Sequence, residues 1–109
     1  MVLSKQHRIN RGEDFRRILR RGRRTSHAAG VFVALPAERP RFGFIVSKAV
    51  GNAVERNKAK RLLRAAARMT LEQDVNAEIV VKASRDVLRY SVEELAGLLE
   101  EVARLATAR

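Results

Sequence analysis

Between Lys48 and Arg64 the chain reads Lys-Ala-Val-Gly-Asn-Ala-Val-Glu-Arg-Asn-Lys-Ala-Lys-Arg-Leu-Leu-Arg, and these residue types are suited to one kind of chemistry, the holding of polyanions. Wound as a helix at about 100° per residue, Asn57, Lys60, Arg61, Arg64 and Arg68 fall within about 100° of one another. Ala59, Leu62, Leu63 and Ala66 cluster on the opposite side. Like charges at i, i+4 cost roughly 0.2–0.5 kcal/mol per pair. Lys60/Arg64 and Arg64/Arg68 both carry that cost with no carboxylate on their face, since Glu55, the only acid nearby, faces elsewhere. A merely solvated helix face ordinarily mixes signs, and this one does not.

Hydrolysis by the side chains themselves finds no support. Metal-assisted phosphodiester cleavage needs carboxylates converging on divalent ions, or a histidine pair for acid–base work. The first 68 residues hold only Glu13, Asp14, Glu38 and Glu55. Glu13 and Asp14 suit a first helical turn, where the helix dipole favours them. Glu38 lies in a proline-flanked loop. His7 and His27 stand 20 positions apart and are expected as isolated surface or loop residues. Gly51-Asn52 lacks the Gly-Lys-Ser/Thr ending of a phosphate-gripping loop. No catalytic residue and no metal ligand is therefore expected of this chain.

Charge over the whole chain points the same way. Its 109 residues carry 23 Lys+Arg against 12 Asp+Glu, a net of +11. Residues 1–68 hold 18 basic and 4 acidic side chains, and residues 69–109 hold 5 and 8, so the net runs from +14 to −3. Such a split marks a localised polyanion-binding face. Arginine outnumbers lysine 18 to 5, and its planar fork binds phosphate in bidentate fashion and stacks on bases, which favours nucleic acid. There is no cysteine, hence no disulfide or thiolate site. No apolar run approaches the ~18 residues of a membrane span, and residues 1–11 lack the apolar stretch of a signal peptide, so a cytoplasmic protein is expected.

The elements that position the basic segment follow from pattern. Residues 1–11 are expected as a basic arm carrying Lys5, Arg8 and Arg11. Asn10 and Glu13 have capping-box spacing for a short helix that Gly22 would end, with Phe15, Ile18 and Leu19 as its apolar stripe. Strands are predicted over 30–35, which Pro36 stops, and over 41–47, with the Pro36–Pro40 loop making them a hairpin. Gly51-Asn52 leads into a helix over 53–69, followed by a strand over 77–83. Ser91 and Glu94 form a capping box for a last helix with apolar positions Val92, Leu95, Leu99, Val102 and Leu105. A further short strand near Arg23–His27 is left open. Phe32 and Phe44 are expected in the core. The order α-β-β-α-β-α predicts one α+β domain, a two-layer sandwich with a mostly central sheet.

The run of Lys48, Gly51-Asn52-Ala-Val54, Arg56-Asn57-Lys58, Lys60-Arg61 and Arg64 resembles the Arg-Asn-Arg signature of the bacterial ribonuclease P protein family. Glu13-Asp14-Phe15 followed by Arg20-Arg21-Gly22 is similar to that family's N-terminal helix. Phe42-Gly43-Phe44 with Val46-Ser47-Lys48 resembles its central strand, and Ile79 to Ala83 its later one. The resemblance spans essentially the whole chain. It implies a left-handed strand–helix–strand crossover like that in the second domain of a small-subunit ribosomal protein, against the usual right-handed rule. It implies a non-catalytic subunit that partners a catalytic RNA and precursor tRNA, with no membrane and no protein partner required, and with Mg²⁺ bound mainly by the RNA. The residues it places against the catalytic RNA are Lys48, Asn52, Arg56, Asn57, Lys58, Lys60, Arg61, Arg64 and Arg68. Those it places against the single-stranded 5′ leader are Phe15, Arg16, Leu19, Val31 and Val33.

Two departures stand out. Lys58 replaces an arginine usual in the signature, which keeps charge and loses bidentate geometry. Leu19 and Val33 sit where relatives often carry aromatics, so leader binding would lean on arginines instead of base stacking worth ~1–3 kcal/mol per base. Three other classes compete: a ribosomal or other structural RNA-binding protein of similar size and charge, a protein-only nuclease, and a helix-turn-helix DNA binder. The last is disfavoured because strands flank the one basic helix.

Overall fold

The computed structural model describes residues 3–108. In chain order it contains α1 (Gly12–Arg21), β1 (Arg23–His27), β2 (Gly30–Pro36), β3 (Arg41–Ile45), α2 (Ala53–Thr70), β4 (Ala77–Ala83) and α3 (Val92–Thr107), with 3₁₀ turns at Lys5–His7 and Arg85–Arg89. The class is the α+β arrangement expected, and the segment at Arg23–His27 is a strand.

The sheet runs β1-β2-β4-β3, with β3 parallel to β4 and the other pairs antiparallel. The expected hairpin across Pro36–Pro40 does not form, because β4 occupies the place beside β2. Composition explains the choice. Strand β4 is apolar toward both faces, with Ile79 and Val81 buried in one cluster and Val80 in the other, so it belongs in the middle. Strand β3 carries Arg41 and Gly43 and suits an edge. The hairpin is β1–β2 instead, closed at Ala28-Ala29 between His27 and Gly30. Strands β3 and β4, joined through α2, form a parallel strand–helix–strand unit.

One face of the sheet packs on α2 and α3. Phe32, Ala34, Phe42, Ile79 and Val81 meet Leu63, Ala66, Ala67, Leu95, Leu99 and Val102 there. Phe32 is buried as expected, but the second buried phenylalanine is Phe42, while Phe44 is half-buried nearer the open end of β3. The buried arc of α3 takes in Ala96 and Ala103, small residues that let α2 and α3 approach, and Leu105 is left 37% exposed outside it. The Ser91/Glu94 capping box forms.

Of the basic arm expected over 1–11, residues 1 and 2 lie outside the described residues, and residues 3–11 do not form a free arm. Leu3 and Ile9 are buried, and the Ile9 N–H donates to the Phe42 carbonyl at 2.9 Å, so this segment runs along the outer edge of β3. That docking moves the start of α1. The helix begins at Gly12 with Arg11 as its N-cap, and the Asn10/Glu13 box does not form.

Helix α1 crosses the opposite sheet face, where Ile18 packs with Ile9, Val33 and Val80. Its position is fixed by a carboxylate that no sequence motif singles out. Glu78 on β4, with a side chain only 9% exposed, accepts from Arg17 Nη2 at 2.9 Å and from Arg41 Nε at 2.7 Å. Asp14 adds contacts to Arg17 at 3.3 Å and Arg41 at 3.6 Å. The hydrogen bond to Glu78 raises the Arg17 pKa above its ordinary value, against a smaller opposing effect of desolvation. Removing one partner from such a cluster strands the others. Glu78→Gln should lower the urea-unfolding free energy by about 2 kcal/mol, below the range for fully buried pairs because both guanidiniums remain partly open to water. Glu101→Gln on the exposed side of α3 should change it by less than about 0.5 kcal/mol. Equal, small effects for both would refute this role for Glu78.

Candidate nucleic-acid interface

Helix α2 starts from a local design that explains the Gly-Asn block. Asn52 Oδ1 accepts from the Glu55 N–H at 2.9 Å, and Glu55 Oε1 accepts from the Asn52 N–H at 3.0 Å, a reciprocal capping box. Gly51 precedes it at φ +154°, and a Cβ there would overlap the Glu55 carboxylate. Arg85 completes the corner, donating to the Val50 carbonyl at 3.0 Å and to Glu55 Oε2 at 3.2 Å. The hydrogen bond from the Asn52 backbone holds the Glu55 carboxyl below its usual pKa, Arg85 assists, and slight desolvation opposes.

The nine cationic and amide residues assigned to catalytic RNA divide in space. Asn57, Arg61, Arg64 and Arg68 are exposed on one side of α2, with Lys60 half-buried at its margin. Lys48 is exposed in the loop before the helix, and Lys58 is exposed on the flank facing Arg85 and Arg89. Two do not join them. Arg56 is half-buried and turns back to donate to the Gly51 carbonyl at 3.3 Å. Asn52 spends its oxygen on the cap, leaving only its amide NH₂ for a ligand. On the wheel, Arg56 falls within the arc of Ala59, Leu63, Ala66 and Ala67, a placement readable from its spacing alone. Among the described residues, Lys60, Arg61 and Arg64 have no ion pair. Val54, 76% exposed, lies beside the cationic stripe.

The leader-assigned residues come together on the other sheet face. Phe15, Leu19 and Val31 are half-buried against the cluster of Ile9, Ile18, Val33 and Val80, and Arg16 is exposed at the rim. Val33 is fully buried under α1, so it supports the site and cannot itself touch a ligand.

A recess of about 220 Å³ links the two regions at the β3 edge, lined by Arg8, Ile9, Phe15, Phe42, Gly43, Phe44, Lys60 and Arg64. Gly43 makes it possible, since a Cβ there would sit 2.6 Å from Phe15 Cε1. Arg8, expected on the basic arm, lines this recess, whereas Arg85 and Arg89, beside Lys58, are cations that the sequence reading did not single out. A recess of about 370 Å³ between Gln73–Asn76 and α3 is lined by Asp74, Glu100 and Arg104, so it carries no cationic excess for a polyanion. No three His, Asp or Glu residues gather as a metal set among the described residues, and Glu78 and Asp14 are taken by guanidiniums. No helix among the described residues is long and apolar enough to cross a membrane.

A two-sided α+β domain with an unopposed cationic helix beside an apolar, cation-rimmed sheet face belongs to the class of small nucleic-acid-binding proteins. The family model for ribonuclease P matches residues 3–107, and the chain belongs to the bacterial ribonuclease P protein family. The ribonuclease P protein component of a Nocardioides species is 43% identical over 105 residues, covering 91% of this chain and 90% of its own. That of Mycolicibacterium vanbaalenii is 38% identical over 111 residues, covering 93% of each. A solved mutant of the Staphylococcus aureus RNase P protein superposes with TM-score 0.78 at 30% identity, covering 94% of this chain and 89% of that one. The Thermotoga maritima protein shares the fold at TM-score 0.69 and 24% identity, covering 89% of this chain and 96% of that one.

The capping role of Asn52 is open to direct experiment. Asn52→Ala should destabilise the protein by about 1 kcal/mol through removal of the cap, while Asn52→Asp, an equally good cap, should keep the urea midpoint. Because the folded Glu55 pKa is depressed, the capping contribution is complete above the unfolded carboxylate pKa and fades as pH falls through the lower folded value. Circular dichroism against pH should show that fading in the native sequence and not in Glu55→Gln. Identical acid profiles would contradict the cap.

Proposed function

We propose that this chain is the RNA-binding subunit of ribonuclease P, holding the catalytic RNA against α2 and the 5′ leader of precursor tRNA across the α1 face of the sheet. The observation that carries this is the continuity of the two surfaces. The cationic stripe of α2 reaches, through Lys60 and Arg64, the same recess that Phe15 of α1 lines. A strand leaving the RNA-bound side would pass onto an apolar face without crossing a carboxylate free of guanidinium.

Cleavage of the phosphodiester belongs to the RNA and its Mg²⁺. The protein's part is electrostatic and positional. Its arginines neutralise crowded phosphates, which lowers the Mg²⁺ concentration the RNA needs, and the cleft tethers the leader so that precursor binds better than product. A ribosomal role has no support from the family match.

Precursor-tRNA cleavage at low Mg²⁺ tests the proposal. Adding the protein to its catalytic RNA should restore 5′ cleavage, and Arg61→Ala/Arg64→Ala should weaken RNA affinity on the order of tenfold or more at physiological salt. Failure of well-folded native protein to stimulate cleavage would overturn it.

A further inference from the structure

The strand register arranges the α1 face of the sheet in three rows. Leu35, Glu78 and Arg41 form the first, Arg24, Val33, Val80 and Gly43 the second, and Ser26, Val31, Lys82 and Ile45 the third. Helix α1 closes the first row through Asp14 and Arg17 and covers most of the second, where Val33 and Val80 are fully buried. The third row stays open. Val31 and Ile45 are half-buried, and Ser26 and Lys82 are exposed, beside the half-buried edges of Phe15 and Leu19.

Lys82 thus stands in the floor of the open row, flanked by Val31 and Ile45. At about 4.8 Å between strands, β1 lies roughly 10 Å away across the sheet, and there Arg24 projects from the same face. Both side chains are exposed, and neither has an ion pair or side-chain hydrogen bond among the described residues. Arg16 and Arg20 are exposed on the outer side of α1. The carboxylates of this face, Asp14 and Glu78, are already held by Arg17 and Arg41, and Glu13 at the helix start lies 3.6 Å from Arg11. A lysine isolated on an apolar floor has no intramolecular use, and its charge complements a phosphate backbone laid along the row.

We propose that Lys82 and Arg24 form a phosphate track that holds the backbone of single-stranded RNA across the open row, toward the β1 edge. The proposal rests on the leader assignment and deepens it. With Leu19 offering no aromatic face to a base and Val33 buried, the grip here is on phosphates, so it is strongly salt-dependent and tolerant of leader sequence.

The test uses holoenzyme reconstituted from the protein and its catalytic RNA, measuring affinity for precursor tRNA and for mature tRNA across a salt series. Lys82→Gln, an exposed strand position that leaves the core untouched, should weaken precursor binding by about three- to tenfold. The salt slope should fall by roughly 0.7, the value for one phosphate of a single strand that is no longer neutralised. Mature tRNA should bind unchanged, Arg24→Gln should act in the same direction, and Lys82→Arg should keep most of the affinity. If Phe15→Ala weakens precursor binding while Lys82→Gln and Arg24→Gln do not, the phosphate track is wrong and the leader cleft stands. If none of the three discriminates precursor from mature tRNA, the leader assignment falls and the track with it. Equal weakening for both tRNAs would place Lys82 against another RNA segment and overturn the proposal.

Discussion

The carboxylate of Glu78 fixes how the two proposed RNA surfaces relate. It sits on the central strand β4, beside Arg41 of β3 and beneath Arg17 of α1, and nearly all of its surface is withdrawn from water. A buried charge is tolerated only when fully partnered, so two guanidiniums must converge on it. That convergence draws α1 over one end of the sheet and leaves the other end uncovered. The open row, the recess at Gly43 and the seam between α1 and the cationic helix are all consequences of where this cluster pins the helix. The cluster also keeps the face electropositive, since its acids are neutralised within the fold.

On the other side of the sheet the constraint is packing. Alanines at Ala66, Ala67, Ala96 and Ala103 bring α2 and α3 together and bury the apolar arc of α2. Its opposite arc is then obliged to face outward. The like charges on that arc repel in the free protein, and the repulsion is relieved when a polyanion binds. The acidic end of the chain supplies α3, whose exposed Glu94 and Glu101 line a recess with His27 and Tyr90, none of them residues of the α2 stripe or the open row. The charge asymmetry along the sequence is thereby turned into asymmetry in space.

Much of this was legible from local signals. Helix α2, its cationic stripe, the Ser91/Glu94 cap and the strand at 77–83 each follow from periodicity or spacing within a few residues. What was not legible depended on non-local choices. The Pro36–Pro40 loop looks like a hairpin until β4, some forty residues later, claims the place beside β2. Asn10/Glu13 has capping-box spacing but loses to the docking of Ile9 on Phe42, whereas Asn52/Glu55 forms its box because Gly51 admits the Glu55 carboxylate. Leu3 and Ile9 look like isolated apolar residues in a polar arm, and only the β3 edge gives them a place to be buried. Arg56 belongs to the signature by type yet turns inward by angle. Lys82 shares a face with Glu78 and Val80 by simple strand alternation, but its meaning appears only once α1 is seen to cover those two and not the third.

The absence of cysteine makes a direct spatial test available, since single cysteines can be placed at will and loaded with a chelated iron that cleaves nearby RNA through hydroxyl radicals. Asn57→Cys on the α2 stripe, Ser26→Cys on the open row and Glu101→Cys on α3 sample the three surfaces in reconstituted holoenzyme bound to precursor tRNA. Two opposed RNA surfaces on one sheet predict cuts in the catalytic RNA from position 57, cuts in the 5′ leader from position 26, and neither from position 101. Cleavage of the leader from position 101, or of catalytic RNA alone from position 26, would contradict that division.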